Sequence, residues 1–371
     1  MCGILGIYNL NGAKVDGNII NKMGNEIAHR GPDGEGCYLN NNIGLIHKRL
    51  AILDTSVRGK QPMISKDGNW VIVFNGCIYN FRELREELKQ NGHKFISETD
   101  TEVIAEGFSA YGTSFIEQFN GMFAIGAWNK KDKKLYLIRD RYGIKPLYYW
   151  FNVNTIVFSS EIKGIIKHPK YEVDVDLDAL NEYFTFQNIF SYNTLFKGVN
   201  MLPPANLLEI NSNTHFIEHN SWWDYDFNTT EDSISFDQAK LKTKKLFEQA
   251  VKRQMVSDVP VGSYLSGGMD SSSIASVASN HVDRLATFTC GFDMNEVSGR
   301  EANFDERRDA ELIANHLNTE QIEVVMNAGD IRWSLPKLVY HLEDLRVGMS
   351  YPNYYTARLA SKFVKVCLQG T

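Results

Sequence analysis

Cysteine is scarce in this sequence, and no two cysteines form a CxxC pair. The chain of 371 residues contains five: Cys2, Cys37, Cys77, Cys290 and Cys367. Their odd number and wide spacing argue against a disulfide framework and against a zinc site built on paired thiolates. This usage is typical of a reducing compartment, so we expect a cytoplasmic protein.

The chain also lacks an excess of positive charge and any long apolar run. Its formal net charge is −6, with 39 Lys and Arg against 45 Asp and Glu, which argues against a nucleic-acid binder that works through a basic face. No apolar run approaches the roughly 20 residues of a membrane helix. The N-terminus lacks the positive segment and apolar stretch of a signal peptide. We therefore expect neither a nucleic-acid partner nor a membrane partner.

The apolar residues that are present suffice for two cores. They make up 43% of the 371 positions, and at this length two domains are the default. Up to residue 210, β-type runs at 70–74, 134–140 and 155–160 dominate over a helix at 80–92, with Asn80 as its N-cap, and a second helix at 99–112. This predicts an α+β domain with antiparallel sheets. From residue 211 to 371, short apolar strands alternate with amphipathic helices. This predicts an α/β domain with a doubly wound parallel sheet.

The second residue of the chain poses the first functional question. Cys2 follows the initiator methionine directly and precedes the apolar Ile4, Leu5 and Ile7. It is either a small apolar residue that begins a buried strand or, after removal of the methionine, an N-terminal nucleophile. The second interpretation is chemically sufficient. An α-amine has a pKa of about 7.7–8.0, close to about 8.5 for the thiol, and it serves as the base.

Three further segments of the first domain contain polar residues with two interpretations each. Arg49 begins an apolar strand. There its guanidinium either binds a substrate carboxylate through two parallel hydrogen bonds or forms a structural salt bridge. Asn75 and Gly76 end a strand, where they face a developing oxyanion or only make a tight turn. Asp100 binds an ammonium group or caps the helix that follows it.

The stretch SYLSGGMDSS poses the second functional question. An apolar strand ends at Leu265, two glycines follow, and hydroxyl-bearing residues open a helix. Such a turn folds tightly against an anion, and the helix N-terminus faces that anion; Asp270 is suited to Mg²⁺. The alternative is an ordinary βα turn with a capping Asp or Ser. Neither GxxxxGKS/T nor GxGxxG is present here. The candidate phosphate-binding residues are Ser266, Gly267, Gly268, Asp270, Ser271 and Ser272.

Eight motifs follow one another through the first domain: MCGI, RGPDG, HKRLAILD, NGxIYN, TDTE, NGMFAIGAWN, RDRYGIKPLYY and SSEIK. In this order they resemble the glutaminase domain of class II, N-terminal-nucleophile glutamine amidotransferases. The resemblance implies the four-layer αββα fold, with mature Cys2 as nucleophile and its own amine as base. It implies that Asn75 and Gly76 form the oxyanion hole. Glutamine would be bound by Arg49 through its carboxylate, by Asp100 through its amino group, and by Asn75.

One residue departs from this family pattern. The family usually reads NGEIYN, whereas this chain has Cys77 in place of the glutamate. That glutamate ordinarily helps to bind the α-amino group of glutamine, and a neutral thiol does not pair with an ammonium group as a carboxylate does. We therefore expect weakened glutamine binding with the chemistry intact.

The segment SGGMDSS resembles the PP-loop of the ATP pyrophosphatases. This implies a site for the pyrophosphate of ATP, with Mg²⁺ at Asp270 and with Leu265 and Cys290 beside the adenine. A class II glutaminase followed by a PP-loop domain resembles the glutamine-hydrolysing asparagine synthetases. In that family's reaction, ammonia released at Cys2 would amidate a carboxylate that ATP has adenylated, first of all aspartate to asparagine. The family also implies a homodimer.

Two features of the second domain leave the acceptor and the completeness of the chain open. The family's Arg-Ala-Ser segment is replaced by LRVGMSYPNYY with a shifted Arg346, so the acceptor is aspartate or another carboxylate, such as a sugar acid or a natural-product precursor. The chain stops at VKVCLQGT, with Gln369 where a serine is usual. We expect a fragment of a longer chain, which hydrolyses glutamine but forms no amide by itself.

Two interpretations from other classes are also considered. A degenerate glutamine- and ATP-binding regulatory protein is compatible with Cys77 and with the C-terminal stop. An N-terminal-nucleophile amidase or protease is disfavoured because it leaves SYLSGGMDSS unexplained. Trapping of Cys2 by a glutamine-like electrophile separates the regulatory protein from the enzymes.

Overall fold

The computed structural model describes residues 1–211, 216–228, 234–295, 305–345 and 350–370. The chain divides into two compact units, Met1–Asp226 and Phe227–Thr371. Within the described ranges, no helix has the length and apolar character needed to cross a membrane. All five cysteines are free.

The first unit contains two six-stranded sheets in which neighbouring strands run antiparallel. Its strands are β1 (Gly3–Asn9), β2 (Gly34–Asn40), β3 (Ile43–Arg49), β4 (Met63–Ile64), β5 (Trp70–Ile78), β6 (Gly121–Asn129), β7 (Lys134–Arg139), β8 (Tyr148–Asn152), β9 (Thr155–Ser159), β10 (Val199–Met201), β11 (Asn206–Asn211) and β12 (Phe216–Ser221). The first sheet has the order β10-β8-β9-β1-β3-β2, and the second has the order β12-β11-β7-β6-β5-β4. The α-helices are α1 (Gly17–Asn25), α2 (Phe81–Gln90), α3 (Asp100–Tyr111), α4 (Ile162–Ile166) and α5 (Leu177–Phe186).

The two sheets pack face to face between layers of helix. On β1, Ile4 and Tyr8 belong to the core between the sheets, whereas Leu5 and Ile7 belong to the core under α1 and α4. On the other side, α3 packs against β5 and α2 against α3. Burial on both faces accounts for the unbroken apolar character of β1. The predicted α+β, αββα architecture is confirmed.

The end of the first unit differs from the predicted extent of the first domain. Strand β12 pairs antiparallel with β11 in the second sheet, and the compact unit runs to Asp226. Trp222 stacks on Phe123 and donates from its indole nitrogen to the Arg139 carbonyl at 3.1 Å. The sheet therefore extends beyond residue 210, and Trp222 packs within this unit.

The predicted start of α2 is correct in position but not in its capping contact. Asn80 precedes the helix without a side-chain capping bond. Its amide instead donates to the Gln118 carbonyl and accepts from the Asn120 N–H, both at 2.9 Å. Asn80 therefore holds the turn before β6 rather than the helix end.

The second unit is built on a parallel sheet with the order β15-β14-β13-β16. Its elements are α6 (Phe236–Gln254), β13 (Val261–Tyr264), α7 (Met269–Ser279), β14 (Ala286–Phe292), α8 (Arg307–Leu317), β15 (Glu320–Met326), α9 (Ala328–Leu342), α10 (Ser350–Ala360) and β16 (Val366–Leu368). The predicted doubly wound α/β fold is confirmed. Strand β13 has β14 on one side and β16 on the other, so the strand order reverses at β13, which is where open α/β sheets bind ligands.

Candidate active site

Cys2 lies directly before β1, with its thiol against the first residue after β3. The Leu50 N–H donates to Cys2 Sγ at 3.3 Å, and Arg30 Nε donates to the Cys2 carbonyl at 2.9 Å. Ile4 and Ser160 anchor the start of β1. The Ile4 N–H donates to Ser160 Oγ at 3.0 Å, and the Ser160 N–H donates to the Ile4 carbonyl at 2.9 Å. The position of Cys2 is therefore fixed by hydrogen bonds to its thiol, to its carbonyl and to the strand that follows it.

The chain terminus and the thiol have shifted pKa values. Burial raises the pKa of the Cys2 thiol, and the Leu50 N–H opposes that rise. Burial, together with the Arg30 charge, lowers the pKa of the Met1 α-amine to about 6. With Met1 in place, this α-amine is mostly neutral at pH 7, the form that accepts a proton.

A set of ion pairs behind Cys2 was not identified from the sequence. Arg30 Nη1 lies 2.8 Å from Glu161 Oε1, His29 Nε2 lies 3.0 Å from the same oxygen, and Lys163 Nζ lies 2.6 Å from Oε2. Burial opposes ionisation of Glu161, but the His29 hydrogen bond and the charges of Arg30 and Lys163 lower its pKa to about 2. Both ends of this set lie in or beside quoted motifs, RGPDG and SSEIK. The sequence shows the two motifs but not that their side chains form ion pairs with each other in the folded chain.

Strand β5 presents a row of backbone groups along one edge. Strand β4 pairs only with Val71 and Ile72 of β5. Farther along, the Phe74 N–H donates to Gln61 Oε1 at 2.7 Å and the Ile78 N–H donates to Asp100 Oδ2 at 3.0 Å. Backbone groups of alternate strand residues point the same way, so the Gly76 N–H points to this edge as well.

The side chain of Asn75 adds a second donor beside Gly76. Asn75 is buried, and its Nδ2 has no hydrogen-bond partner among the described residues. A Cβ on Gly76 would stand 2.2 Å from the Met122 carbonyl oxygen, so the backbone at this position requires glycine. The tight-turn alternative does not apply, because Asn75 and Gly76 both lie inside β5, paired with Ala124 and Phe123.

Asp100 stands at the first residue of α3 and not at its cap. The capping residue is Thr99, whose side chain accepts from the Glu102 N–H at 3.2 Å. Burial raises the pKa of Asp100 to about 6, although the Ile78 N–H and other backbone donors oppose the rise. The Asp100 charge also raises the pKa values of Cys2 and Cys77. The structure thus brings Asp100, Cys2 and Cys77 within electrostatic reach of one another.

The Arg49 guanidinium is largely engaged by the loop that follows β3. Nη1 donates to the Ser56 carbonyl at 2.7 Å, and Nη2 donates to those of Leu53 and Asp54 at 3.4 and 2.5 Å. A guanidinium has five N–H groups, and these bonds leave Nε–H and one Nη1–H for another acceptor. Gly59 packs directly against Nη2. The role of Arg49 toward a glutamine carboxylate stays a prediction.

Cys77 is half-buried on β5, opposite Met122. Burial, and then the Asp100 charge, raise the pKa of its thiol well above the usual value. Lys145 lies near Cys2 and Cys77, and burial lowers its pKa; its Nζ lies 3.4 Å from Met1 Sδ. Cys77 is therefore an uncharged thiol at the position where a carboxylate is usual.

In the second unit, the turn from β13 to α7 is closed by hydroxyl groups. Ser266 Oγ and Ser271 Oγ lie 3.0 Å apart, and Ser272 Oγ donates to the Gly268 carbonyl at 2.6 Å. Gly267 has a φ of +80°, and a Cβ there would stand 2.8 Å from Asp309 Cβ. Glycine is required at this position on both grounds. The turn leaves the helix N-terminus open, the arrangement that suits a phosphate.

A cavity of about 400 Å³ opens at the carboxyl ends of these strands. It brings together four predicted residues, Leu265, Ser266, Ser271 and Cys290, whereas Gly267, Gly268 and Asp270 are not part of its wall. Burial raises the pKa of Cys290 to about 11, so this thiol is neutral. The other lining residues are Tyr264, Phe288, Phe292, Glu306, Pro352, Asn353, Thr356, Ala357, Gln369 and Gly370.

Two predictions for the second unit, a Mg²⁺ site at Asp270 and a role for Arg346, stay predictions. Asp270 is exposed at the start of α7, and no cluster of three or more His, Cys, Asp or Glu suited to a metal occurs among the described residues. A single carboxylate beside a phosphate turn still fits Mg²⁺ that arrives with nucleotide phosphates. Arg346 lies outside the described residues.

Comparisons with known proteins agree with this arrangement. Residues 1–223 match the family model of a glutamine amidotransferase domain, and residues 242–371 match that of asparagine synthase. The chain is 35% identical over 374 residues to glutamine-hydrolysing asparagine synthetase 1 of Bacillus subtilis, covering 100% of this chain and 57% of that protein. A solved structure titled as a glutamine phosphoribosylpyrophosphate amidotransferase of B. subtilis covers 75% of this chain and 64% of its own, at 16% identity and a TM-score of 0.46.

A second relative is matched over most of its length. This protein of Methanocaldococcus jannaschii, named in the same synthetase group, is 35% identical over 395 residues, which cover 100% of this chain and 74% of the relative. The chain thus spans little more than half of the B. subtilis relative and about three quarters of the archaeal one. Identity at this level over this share of both chains confirms the resemblance, and the chain belongs to the glutamine-hydrolysing asparagine synthetase family.

Proposed function

We propose that this chain is a glutamine-dependent amidotransferase whose glutaminase centre is Cys2. The observation that supports this most directly is the pair of donors beside β5. The buried Asn75 Nδ2 has no partner among the described residues, and the Gly76 N–H points to the edge of β5 that β4 leaves free. Preorganised donors of this kind stabilise the oxyanion that forms when a thiolate attacks an amide. A buried donor without a partner costs free energy unless a bound group satisfies it, and the oxyanion would be such a group.

In the proposed glutaminase reaction, the Cys2 thiol transfers its proton to the α-amine and attacks the side-chain amide of glutamine. The protonated α-amine gives its proton to the departing nitrogen, so ammonia leaves as the γ-glutamyl thioester forms. Water then hydrolyses the thioester to glutamate and the free thiol. Asn75 and Gly76 hold the oxyanion, Asp100 holds the substrate ammonium, and Arg49 offers its remaining N–H groups to the substrate carboxylate.

For the second unit we propose ATP-dependent activation of a carboxylate, with aspartate as the first acceptor to test. The open turn after β13 and the cavity at the strand ends support an ATP site at Ser266, Gly267, Gly268 and Ser271. Mg²⁺ would enter with the ATP phosphates and meet Asp270. The family further supports a homodimer, and the five free cysteines support a cytoplasmic location.

The experiment that tests the glutaminase is intact-mass analysis with and without a diazoketone analogue of glutamine. We expect loss of Met1 and one adduct, formed when Cys2 Sγ displaces N₂ and mapped to Cys2 by peptide analysis. A retained Met1 or an unmodified Cys2 would overturn the proposal and favour the regulatory protein. A panel of carboxylic acids, assayed for ATP-dependent pyrophosphate release, then identifies the acceptor.

A further inference from the structure

The backbone of Phe74, the residue before Asn75, is held by two buried side chains from elsewhere in the chain. Its N–H donates to Gln61 Oε1 at 2.7 Å, and His47 Nε2 lies 3.1 Å from its carbonyl oxygen. Gln61 is itself fixed, because its Nε2 donates to Thr101 Oγ1 at 3.0 Å. The polar groups of Phe74 on the free edge of β5 are thus both satisfied by side chains.

His47 makes this contact from the opposite sheet. It lies on β3, fully buried, paired with Ile4 on one side and Gly36 on the other. The His47 ring therefore joins the sheet whose strand β1 begins directly after Cys2 to the strand that contains Asn75. A Cβ on Gly36 would stand 2.0 Å from the Gln61 carbonyl oxygen, so glycine at this position lets the Gln61 backbone lie against the same pair of strands.

The hydrogen-bonding pattern defines the tautomer and the protonation state of the His47 ring. A carbonyl oxygen only accepts, so Nε2 carries the hydrogen. Nδ1 has no partner among the described residues, and a proton there would be buried without an acceptor. Burial accordingly lowers the pKa of His47 to about 3. The ring is neutral throughout the physiological range and acts as a fixed donor, not as a base.

The carbonyl held by His47 belongs to the peptide that joins Phe74 to Asn75. Rotation of that peptide would turn the Asn75 side chain and the Gly76 N–H away from their present directions. We propose that His47 and Gln61 are positioning residues for glutamine hydrolysis, which hold the backbone of Phe74 so that Asn75 and Gly76 meet the oxyanion. This inference rests on the proposed glutaminase function and goes beyond it by naming what orients the two donors.

The test compares glutamine hydrolysis by variants of the full chain. His47→Leu removes the donor, and His47→Gln keeps an N–H in its place. We expect His47→Leu to lower kcat by about 10- to 100-fold with little change in KM, because a single oxyanion donor contributes about 10²- to 10³-fold. His47→Gln should recover most of that loss. Tyr8→Phe is the control, because the Tyr8 hydroxyl makes a different, part-buried hydrogen bond from the first sheet, donating at 2.8 Å to the carbonyl of Lys133 in the turn before β7.

A double-mutant cycle distinguishes positioning from a general loss of stability. In the Asn75→Ala background, His47→Leu should lower kcat by a clearly smaller factor than in the wild-type background, since one of the two donors that it orients is gone and only the Gly76 N–H is left. Equal losses in both backgrounds, or an unchanged kcat in a folded His47→Leu protein, would overturn the inference. If His47→Leu does not fold, Gln61→Met gives the same readouts from the other side of Phe74. A wild-type chain without glutaminase activity would instead overturn the proposed function itself.

Discussion

At the scale of single residues, the first unit combines a buried acid and an uncharged thiol where a substrate ammonium would bind. Burial raises the pKa of Asp100 to about 6, and the neighbouring position 77 holds a neutral cysteine. Only Asp100 of these two is able to ionise near neutrality. The affinity for glutamine should therefore depend on a single carboxylate.

Glutamine binding should weaken as the pH falls through about 6. The raised pKa means that Asp100 is ionised above this pH and protonated below it, and only the ionised form pairs with an ammonium group. At pH 5 about one tenth of the carboxylates are ionised, so the dissociation constant should be about 10-fold higher than at pH 8. Calorimetric titration of the Cys2→Ser variant measures binding without turnover. A flat profile that Asp100→Asn does not alter would contradict this expectation.

Replacing Cys77 by glutamate should strengthen glutamine binding. The new carboxylate adds a second partner for the substrate ammonium, so KM should fall several-fold at pH 8 with kcat nearly unchanged. Cys37→Glu is the control, because Cys37 is exposed on β2. Steady-state glutaminase assays measure the effect. An unchanged KM in Cys77→Glu would show that this position does not contact the substrate.

At the scale of elements, the loop RGPDG is packed tightly onto the end of β3. A Cβ on Gly31 would stand 2.1 Å from the Lys48 carbonyl carbon and 2.3 Å from the Arg49 nitrogen. Within the same loop, the Asp33 N–H donates to the Arg49 carbonyl at 2.9 Å. The loop therefore determines where β3 ends, and with it where Leu50 meets the Cys2 thiol.

Gly31→Ala should damage both stability and glutaminase activity, whereas Gly34→Ala should be tolerated. Backbone atoms have to move to accept the Gly31 methyl group, which should cost about 2–3 kcal/mol of unfolding free energy. A Cβ on Gly34 meets nothing within 4 Å. Chemical denaturation and glutamine hydrolysis, measured on both variants, check this. Equal effects of the two substitutions would mean that the close packing of Gly31 does not account for any loss of stability or activity.

At the scale of the whole molecule, the two proposed half-reactions lie in separate compact units. Cys2 lies in the unit Met1–Asp226, and the turn after β13 lies in the unit Phe227–Thr371. Each unit has its own buried core, with clusters around the two sheets of the first unit and a cluster around α7 and α8 in the second. Substitutions in one unit should therefore leave binding in the other intact.

Reciprocal variants test this separation. Cys2→Ser should abolish glutamine hydrolysis and leave ATP affinity unchanged. Gly267→Ala should weaken ATP binding about 10-fold or more, because its φ of +80° and its approach to Asp309 both disfavour a side chain, while glutamine hydrolysis persists. Calorimetric titration measures the affinity for ATP, and ammonia release measures glutamine hydrolysis. Loss of both activities in either variant would show that the units do not act independently.

The sequence was sufficient for features that depend on local chemistry or on periodicity. The apolar run after Cys2 and the segment 70–74 indicated strands, and the structure has them as β1 and β5. The glycines and hydroxyls after Leu265 indicated a βα turn, because short-range sterics and helix-end donors impose that composition. Ordered motifs were enough to indicate the family, which the comparisons confirmed.

Other features were decided only when distant segments packed together. His47 reaches Phe74, Gln61 reaches Thr101, and Arg30 pairs with Glu161 across 131 positions of the chain. No local pattern shows such pairs, since burial and the second sheet are what bring the partners together and shift their pKa values. For the same reason Asn80 looked like a helix cap, whereas the folded chain directs it to Gln118 and Asn120. Residue types and short-range spacing thus indicated the candidate chemistry, while packing of the two sheets decided which groups hold it in place.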